Sequence, residues 1–250
     1  MKSPLKDLQQ RYARQRAFIR ARLSPHGYFG LQMTIGALVL IAASWLFGGV
    51  SEDVLTGDPL TVVDQFLADW FQAHAVPTVT QLMLVVSTLH GVVAVSIYAL
   101  LFALYLLWKR DWFWLVCLAT TVPGGMLLNV LMKHTFQRAR PNVSDPLFAL
   151  STYSYPSGHV AGAVLFYGVL GAMLITRIDV WRWRVLIAFT AITLVLLVAL
   201  SRMVLGVHFL SDVIAAFAEA VAWLSICLTA THTWWKHRSE FRREKTPNVS

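Results

Sequence analysis

Acidic charge is scarce in this chain: 13 Asp and Glu stand among 250 residues, against 21 Lys and Arg. Charged residues make up 14% of the sequence and hydrophobic ones 57%, with a mean hydropathy of +0.59, which excludes an ordinary soluble domain. Cysteine is nearly missing. Cys117 and Cys227 both lie within apolar runs and form no Cys-x-x-Cys pair, so zinc and redox frameworks are unsupported, and both read as small core residues. Carboxylates do not gather around any motif, which leaves a metal-dependent hydrolase without its ligands. There is no internal repeat and no low-complexity tract.

Apolar runs fill the space these absences leave. Six reach spanning length, at Tyr28–Val50, Val79–Trp108, Trp112–Met132, Val160–Ile175, Trp183–Leu200 and Phe209–Ala230. About 20 apolar residues cross a hydrocarbon core, so the fourth and fifth lie near the lower limit. The expected fold is all-α: a polytopic membrane protein of six transmembrane helices. The first run is too long for the h-region of a cleavable signal and follows a basic stretch of nearly 30 residues. The organisation expected is a basic cytoplasmic N-terminal arm over 1–27, a six-span domain over 28–232 and a basic cytoplasmic tail over 233–250.

The net charge of +8 is a topological signal. It is not the mark of a nucleic-acid partner, because of where it falls. Lys2, Lys6, Arg11, Arg14, Arg16, Arg20 and Arg22 precede the first span, and Lys109 and Arg110 separate the second from the third. Arg177, Arg182 and Arg184 separate the fourth from the fifth, and Lys236, Arg238, Arg242, Arg243 and Lys245 follow the last. The positive-inside rule makes all of these cytoplasmic, with both termini inside. The loop Ser51–Thr78 carries five carboxylates and no Lys or Arg, as an outer loop would. Within it Leu60, Val63, Phe66, Leu67, Trp70 and Phe71 recur at helical spacing, interrupted by Asp64 and Asp69, which predicts a short interfacial helix. Met1–His26 can be drawn as a basic amphipathic helix on anionic headgroups, and the tryptophans at span ends form an aromatic belt.

Only Lys133, Arg138, Arg140 and Arg202 fall on the outer side. Cations that defy the topological bias at the ends of apolar helices are functional candidates. Lys133 closes the third span, and Arg140 follows two helical turns later, just before Pro141. The two can bind a phosphate, the arginine in a bidentate fork, or serve as interfacial anchors. In Pro156-Ser157-Gly158-His159 the chain turns into the fourth span, with Ser157 a plausible N-cap. N–H groups around Gly158 would point outward as an anion site, with His159 at its mouth. The bland alternative is a capping turn. Arg202 ends the fifth span, and His208 opens the sixth, with Asp212 one turn below. Such a carboxylate can fix the imidazole tautomer and leave the other nitrogen free as a nucleophile; the bland alternative is a satisfied core pair. All these motifs fall at outer ends of spans, and together they suit phosphoryl transfer through a histidine.

These stretches resemble the three signature motifs of the type 2 phosphatidic acid phosphatase superfamily. Lys-x6-Arg-Pro, Pro-Ser-Gly-His and Ser-Arg-x5-His-x3-Asp are each met without a gap, between the third and sixth spans. The topology resembles the bacterial membrane branch, which includes phosphatidylglycerophosphate and undecaprenyl-diphosphate phosphatases. The resemblance implies a metal-independent membrane lipid phosphatase with no cofactor. His208 would be the nucleophile, Asp212 its orienting partner and His159 the general acid and base. Lys133, Arg140, Ser157, Gly158 and Arg202 would hold the phosphoryl oxygens. Departures are slight: Tyr155 stands where Phe is frequent, and Ala215-Ala216 where Gly is often found.

The expected partner is a phosphorylated or diphosphorylated lipid in the bilayer, with undecaprenyl diphosphate first and phosphatidylglycerophosphate or phosphatidic acid close behind. The expected location is a bacterial inner membrane with the site facing the periplasm. Alternatives are a phosphotransferase using the same phosphohistidine, or a lipid transporter or scramblase keeping a headgroup site. Arg138 reads as a headgroup contact or an interfacial anchor, and Asn129 as a partner for Lys133 or a helix–helix bond. Glu219 reads as a packed, hydrogen-bonded carboxyl, while His74 and His90 carry no motif. Pro123-Gly124-Gly125 permits a kink or close packing.

Overall fold

The computed structural model describes residues 16, 30–57, 59–141 and 152–245, and the N-terminal amphipathic arm lies outside them apart from Arg16. The described residues form helices and connecting turns, with no strand. The helices are α1 (Leu31–Thr56), α2 (Pro59–Ala73), α3 (Pro77–Leu89), α4 (Val92–Trp108), α5 (Trp112–Phe136), α6 (Gly158–Arg177), α7 (Trp181–Val204) and α8 (Leu210–Lys245). Helices α1, α5, α6, α7 and the Leu210–Ser239 part of α8 are long and apolar enough to cross a membrane. Each satisfies its own backbone, which lipid cannot do.

The run expected as one second span is broken. α3 and α4 meet at 44°, and a sixth crossing exists if the bent pair is counted as one. The cause is local. His90 leaves helical geometry at φ −117°, and Gly91 caps α4 in an extended conformation. His90 Nδ1 donates to the Val86 carbonyl at 2.8 Å, so its Nε2 accepts from Tyr167 Oη at 2.8 Å on α6. A histidine without a motif therefore pins the break to the central helix. α2 stands where the outer-loop helix was expected, and it packs on α1, α7 and α8. The last helix runs on without interruption through 232 into the basic tail.

α6 is the hub, packed against α4, α5, α7 and α8. Val160, Leu165 and Val169 are wholly buried on it, among small Ala161, Gly162 and Ala163. Without a strong hydrophobic drive in lipid, close backbone approach holds such helices together. α5 continues through Pro123, and the two glycines after it receive Trp223 of α8. A Cβ at Gly124 would lie 2.7 Å from the indole, and one at Gly125 would lie 2.5 Å from Leu165. Pro123-Gly124-Gly125 is thus a packing slot. Outward-facing Ile41, Trp45 and Phe189 remain exposed, as lipid-facing residues are.

This packing gathers one end of the bundle. The C-termini of α5 and α7 and the N-termini of α6 and α8 carry Lys133, Arg202, His159 and Asp212 to the same end. At the opposite end Arg177 of α6 pairs with Asp111 at the start of α5.

Candidate active site

The segment between α7 and α8 carries His208, and Gly206 makes the turn into it at φ +66°, a conformation glycine adopts freely. His208 is buried, and its Nδ1 lies 3.2 Å from Asp212 Oδ2. Arg140 Nη1 lies 3.3 Å from the other ring nitrogen, Nε2. A guanidinium can only donate, so Nε2 bears the lone pair and Nδ1 the proton. Burial pulls the His208 pKa down to about 4, against the opposing pull of the Asp212 hydrogen bond and charge. A neutral imidazole with an unprotonated Nε2 beside fixed cations can act as a nucleophile toward an electron-poor centre.

Asp212, buried on the first turn of α8, uses both carboxylate oxygens. Its Oδ2 also accepts from the Phe209 amide at 2.9 Å and from Ser154 Oγ, while Oδ1 accepts from Arg138 at 2.8 Å. Its backbone carbonyl takes the Ser157 amide at 3.1 Å. The three motifs are therefore stitched together by the short segment 152–157. Lys133 Nζ donates to the Tyr153 carbonyl at 2.8 Å and to that of Ser154 at 3.3 Å. Arg140 donates to the Thr152 carbonyl, Thr152 Oγ1, the Tyr153 carbonyl and the Val207 carbonyl as well as facing His208. Burial lowers the Arg140 pKa from its ordinary value.

Ser157 sits at the N-cap position of α6, yet its hydroxyl makes no capping bond. Ser157 Oγ and Arg202 Nε are buried polar atoms with no protein partner among the described residues. Ser87 Oγ, brought in by the break after α3, takes the Arg202 Nη1 proton. His159, on the first turn of α6, makes no hydrogen bond within the described residues. It stands within electrostatic reach of Arg202, His208, Arg140 and Lys133. Every residue that the motifs nominated thus lies at the same end of the bundle.

Arg138 has its guanidinium on carboxylates, held by Asp212 and by Asp64 of α2, each at 2.8 Å. Asn129 makes the helix–helix bond, donating to Glu219 Oε2 at 3.1 Å, and its Oδ1 faces Gly158. Among the described residues no group of three or more His, Cys, Asp or Glu could hold a metal. Sequence reasoning missed Asp64, Ser87, Ser154 and Ser211. Asp64 did leave a signal: a carboxylate that interrupts an apolar helical face needs a partner wherever that face is buried. Ser87 left none, since a serine in an apolar run is commonplace.

The model of the PAP2 superfamily matches residues 112–236, half of the chain. The chain belongs to the PAP2 superfamily. The matched region contains all three PAP2 motifs and every cation of the cluster. One PAP2 relative, "Phosphatidylglycerophosphatase B" of Bacillus subtilis (strain 168), is 34% identical over 93 residues. That stretch is 37% of this chain and 45% of the relative, so the match spans less than half of the relative's length. The fold also matches the crystal structure of a transmembrane PAP2 type phosphatidylglycerolphosphate phosphatase from Bacillus subtilis. The TM-score is 0.65 at 20% identity, covering 81% of this chain and 96% of that one. At that identity the likeness speaks for the fold, which is that of a multi-pass membrane protein.

Proposed function

We propose that this protein is a membrane lipid phosphatase acting through a phosphohistidine on His208. The observation that carries the reading is the tautomer: Asp212 accepts a hydrogen bond from the protonated Nδ1, and Arg140 marks Nε2 as the lone-pair nitrogen. Nε2 attacks phosphorus, the bond from phosphorus to the lipid oxygen breaks, and His159 gives that oxygen a proton. His159 then takes a proton from water as its oxygen attacks phosphorus, and the P–N bond breaks to release phosphate. Asp212 offsets the positive charge that the ring gains in the first step.

The phosphoryl oxygens carry the charge that grows in such a transfer, and fixed donors in a low-dielectric site stabilise it well. The Arg140 N–H now aimed at Nε2 is the one a phosphoryl oxygen would take once phosphorus occupies that nitrogen. Ser157 Oγ and Arg202 Nε supply two further donors. A buried donor without a partner costs about 1–3 kcal/mol, which an oxyanion ligand offsets. Lys133 and the α6 N-terminus at Gly158 complete the cradle. These groups do the work of charge stabilisation, so the reaction is proposed to need no metal. A transport-only role would use the cations but not the His208–Asp212 pair.

The substrate class is a phosphomonoester or diphosphate of a membrane lipid. Similarity to a relative named for phosphatidylglycerophosphate puts that lipid first. Undecaprenyl diphosphate, ranked first from sequence alone, becomes the second choice, supported by the charge bias that sets the site on the outer side. Charge bias supports an inner-membrane location with both termini cytoplasmic and the site at the periplasmic end. The test is phosphate release by purified protein from these two lipids and phosphatidic acid, with excess EDTA present. Sustained release that vanishes in His208→Ala is expected, and vanadate should inhibit as a transition-state mimic. Loss of activity in EDTA, restored by a divalent ion, would overturn the metal-free mechanism.

A further inference from the structure

Asp64 is only 1% exposed, although α2 turns Val62, Phe66 and Trp70 outward. Its Oδ2 accepts from Arg138 Nη2 at 2.8 Å and from Ser211 Oγ, and its Oδ1 accepts from the Ser211 amide at 2.9 Å. Arg138 Nη1 in turn donates to Asp212 Oδ1 at 2.8 Å and to Ser211 Oγ at 2.6 Å. The guanidinium lies 4.4 Å over the Phe209 ring. An unbroken chain of charge-assisted hydrogen bonds therefore runs from α2 to the imidazole: Asp64, Arg138, Asp212, His208.

We propose that Asp64 is a positioning residue for the reaction at His208, holding Arg138 against Asp212 and fixing the charge balance of the His208–Asp212 pair. The inference rests on the reading of His208 as the nucleophile. Exposed ion pairs do little of this kind, but here the guanidinium fork is shared between two buried carboxylates, each on a different nitrogen. Alone beside Asp212, Arg138 would oppose the positive charge that the ring gains as it becomes phosphorylated. A second carboxylate on its far side cancels that charge and leaves Asp212 to act on the imidazole. Asp64 also caps the start of α8 through the Ser211 amide, which sets where Asp212 stands.

The other charges facing the pair are Lys133 from α5, Arg140 from the segment after it, His159 from α6 and Arg202 from α7, with Glu219 lower on α8. These cations are common to parent and variants, so removing one member of the Asp64–Arg138 pair changes the field in a known direction. Losing the Asp64 charge makes protonation of His208 harder, and losing the Arg138 charge makes it easier.

The experiment uses the full chain in detergent with phosphatidylglycerophosphate in mixed micelles, after a melting check on each variant. Asp64→Asn is expected to lower kcat about tenfold with KM within about twofold. Its acid limb of kcat against pH should move to lower pH, and that of Arg138→Gln to higher pH. Asp64→Glu keeps the charge and should retain the parent's pH profile. A kcat in Asp64→Asn within twofold of the parent, or superimposable pH profiles in the Asn and Gln variants, would overturn the inference. The nitrogen resonances of His208, titrated in the same variants, read the same opposed shifts without turnover. A parent with no phosphatase activity thus sinks the proposed function, while these titrations still decide the coupling.

Discussion

In the proposed mechanism the chemistry turns on His208, and its surroundings make its behaviour specific. His208→Ala should cut turnover by about 10⁴-fold or more in phosphate release, and Asp212→Asn by about 10³-fold, since an amide cannot hold the tautomer as a carboxylate does. The Asn variant should also melt lower, because Arg138, Ser154 and the Phe209 amide all lean on that carboxylate. Arg202→Lys should not restore activity, as an ammonium lacks the planar fork that reaches Ser87 and the pocket together. With its folded pKa near 4 against an ordinary 6.5, His208 should stay neutral at about pH 5 in nitrogen NMR. The linkage sign follows. The unfolded chain binds a proton below 6.5 that the folded site refuses, so this histidine withdraws stability as pH falls from 6.5 toward 4, and no further below.

At the scale of elements, what holds the site in place is close packing of α5, α6 and α8. Gly124→Val should destabilise the protein by about 1–3 kcal/mol, read as a lower melting temperature in detergent, and Trp223→Ala in the same chain should return part of it, since a Cβ at that position meets the Trp223 indole. The ends of these helices were legible because each motif pairs a charged residue with an apolar run, and such residues stay near the membrane surface. Lys133, Gly158, Arg202 and Asp212 stand within the last or first turns of their helices. The break at His90-Gly91 was not legible. The run from Val79 to Trp108 is apolar enough throughout, and the bond from His90 to Tyr167 joins residues 77 apart in sequence. The same holds for Asp64, whose partners Arg138 and Ser211 come from distant segments. Periodicity could place it on a helix but not say which face met a cation. Arg138 was singled out by its position against the charge bias, yet the carboxylates it serves are set by tertiary packing alone.

Across the whole molecule the charges are sorted, with 17 of 21 Lys and Arg expected at one membrane face and the four of the site region at the other. Cysteine labelling in intact cells checks that sorting, since Cys117 and Cys227 are buried and should stay silent. A cysteine at exposed Gln137 should react with an impermeant maleimide, and one at Arg182 should not; the opposite pattern would invert the topology. The account stands or falls, however, on a covalent intermediate. The most direct measurement is a rapid alkaline quench of the purified protein turning over a phosphorylated lipid, followed by mass spectrometry of the peptide containing His208. The account predicts phosphate on the His208 ring, stable to base and lost in acid, and missing from His208→Ala. Steady turnover with no phosphate on that residue at any quench time, or with phosphate carried by another side chain, would contradict it.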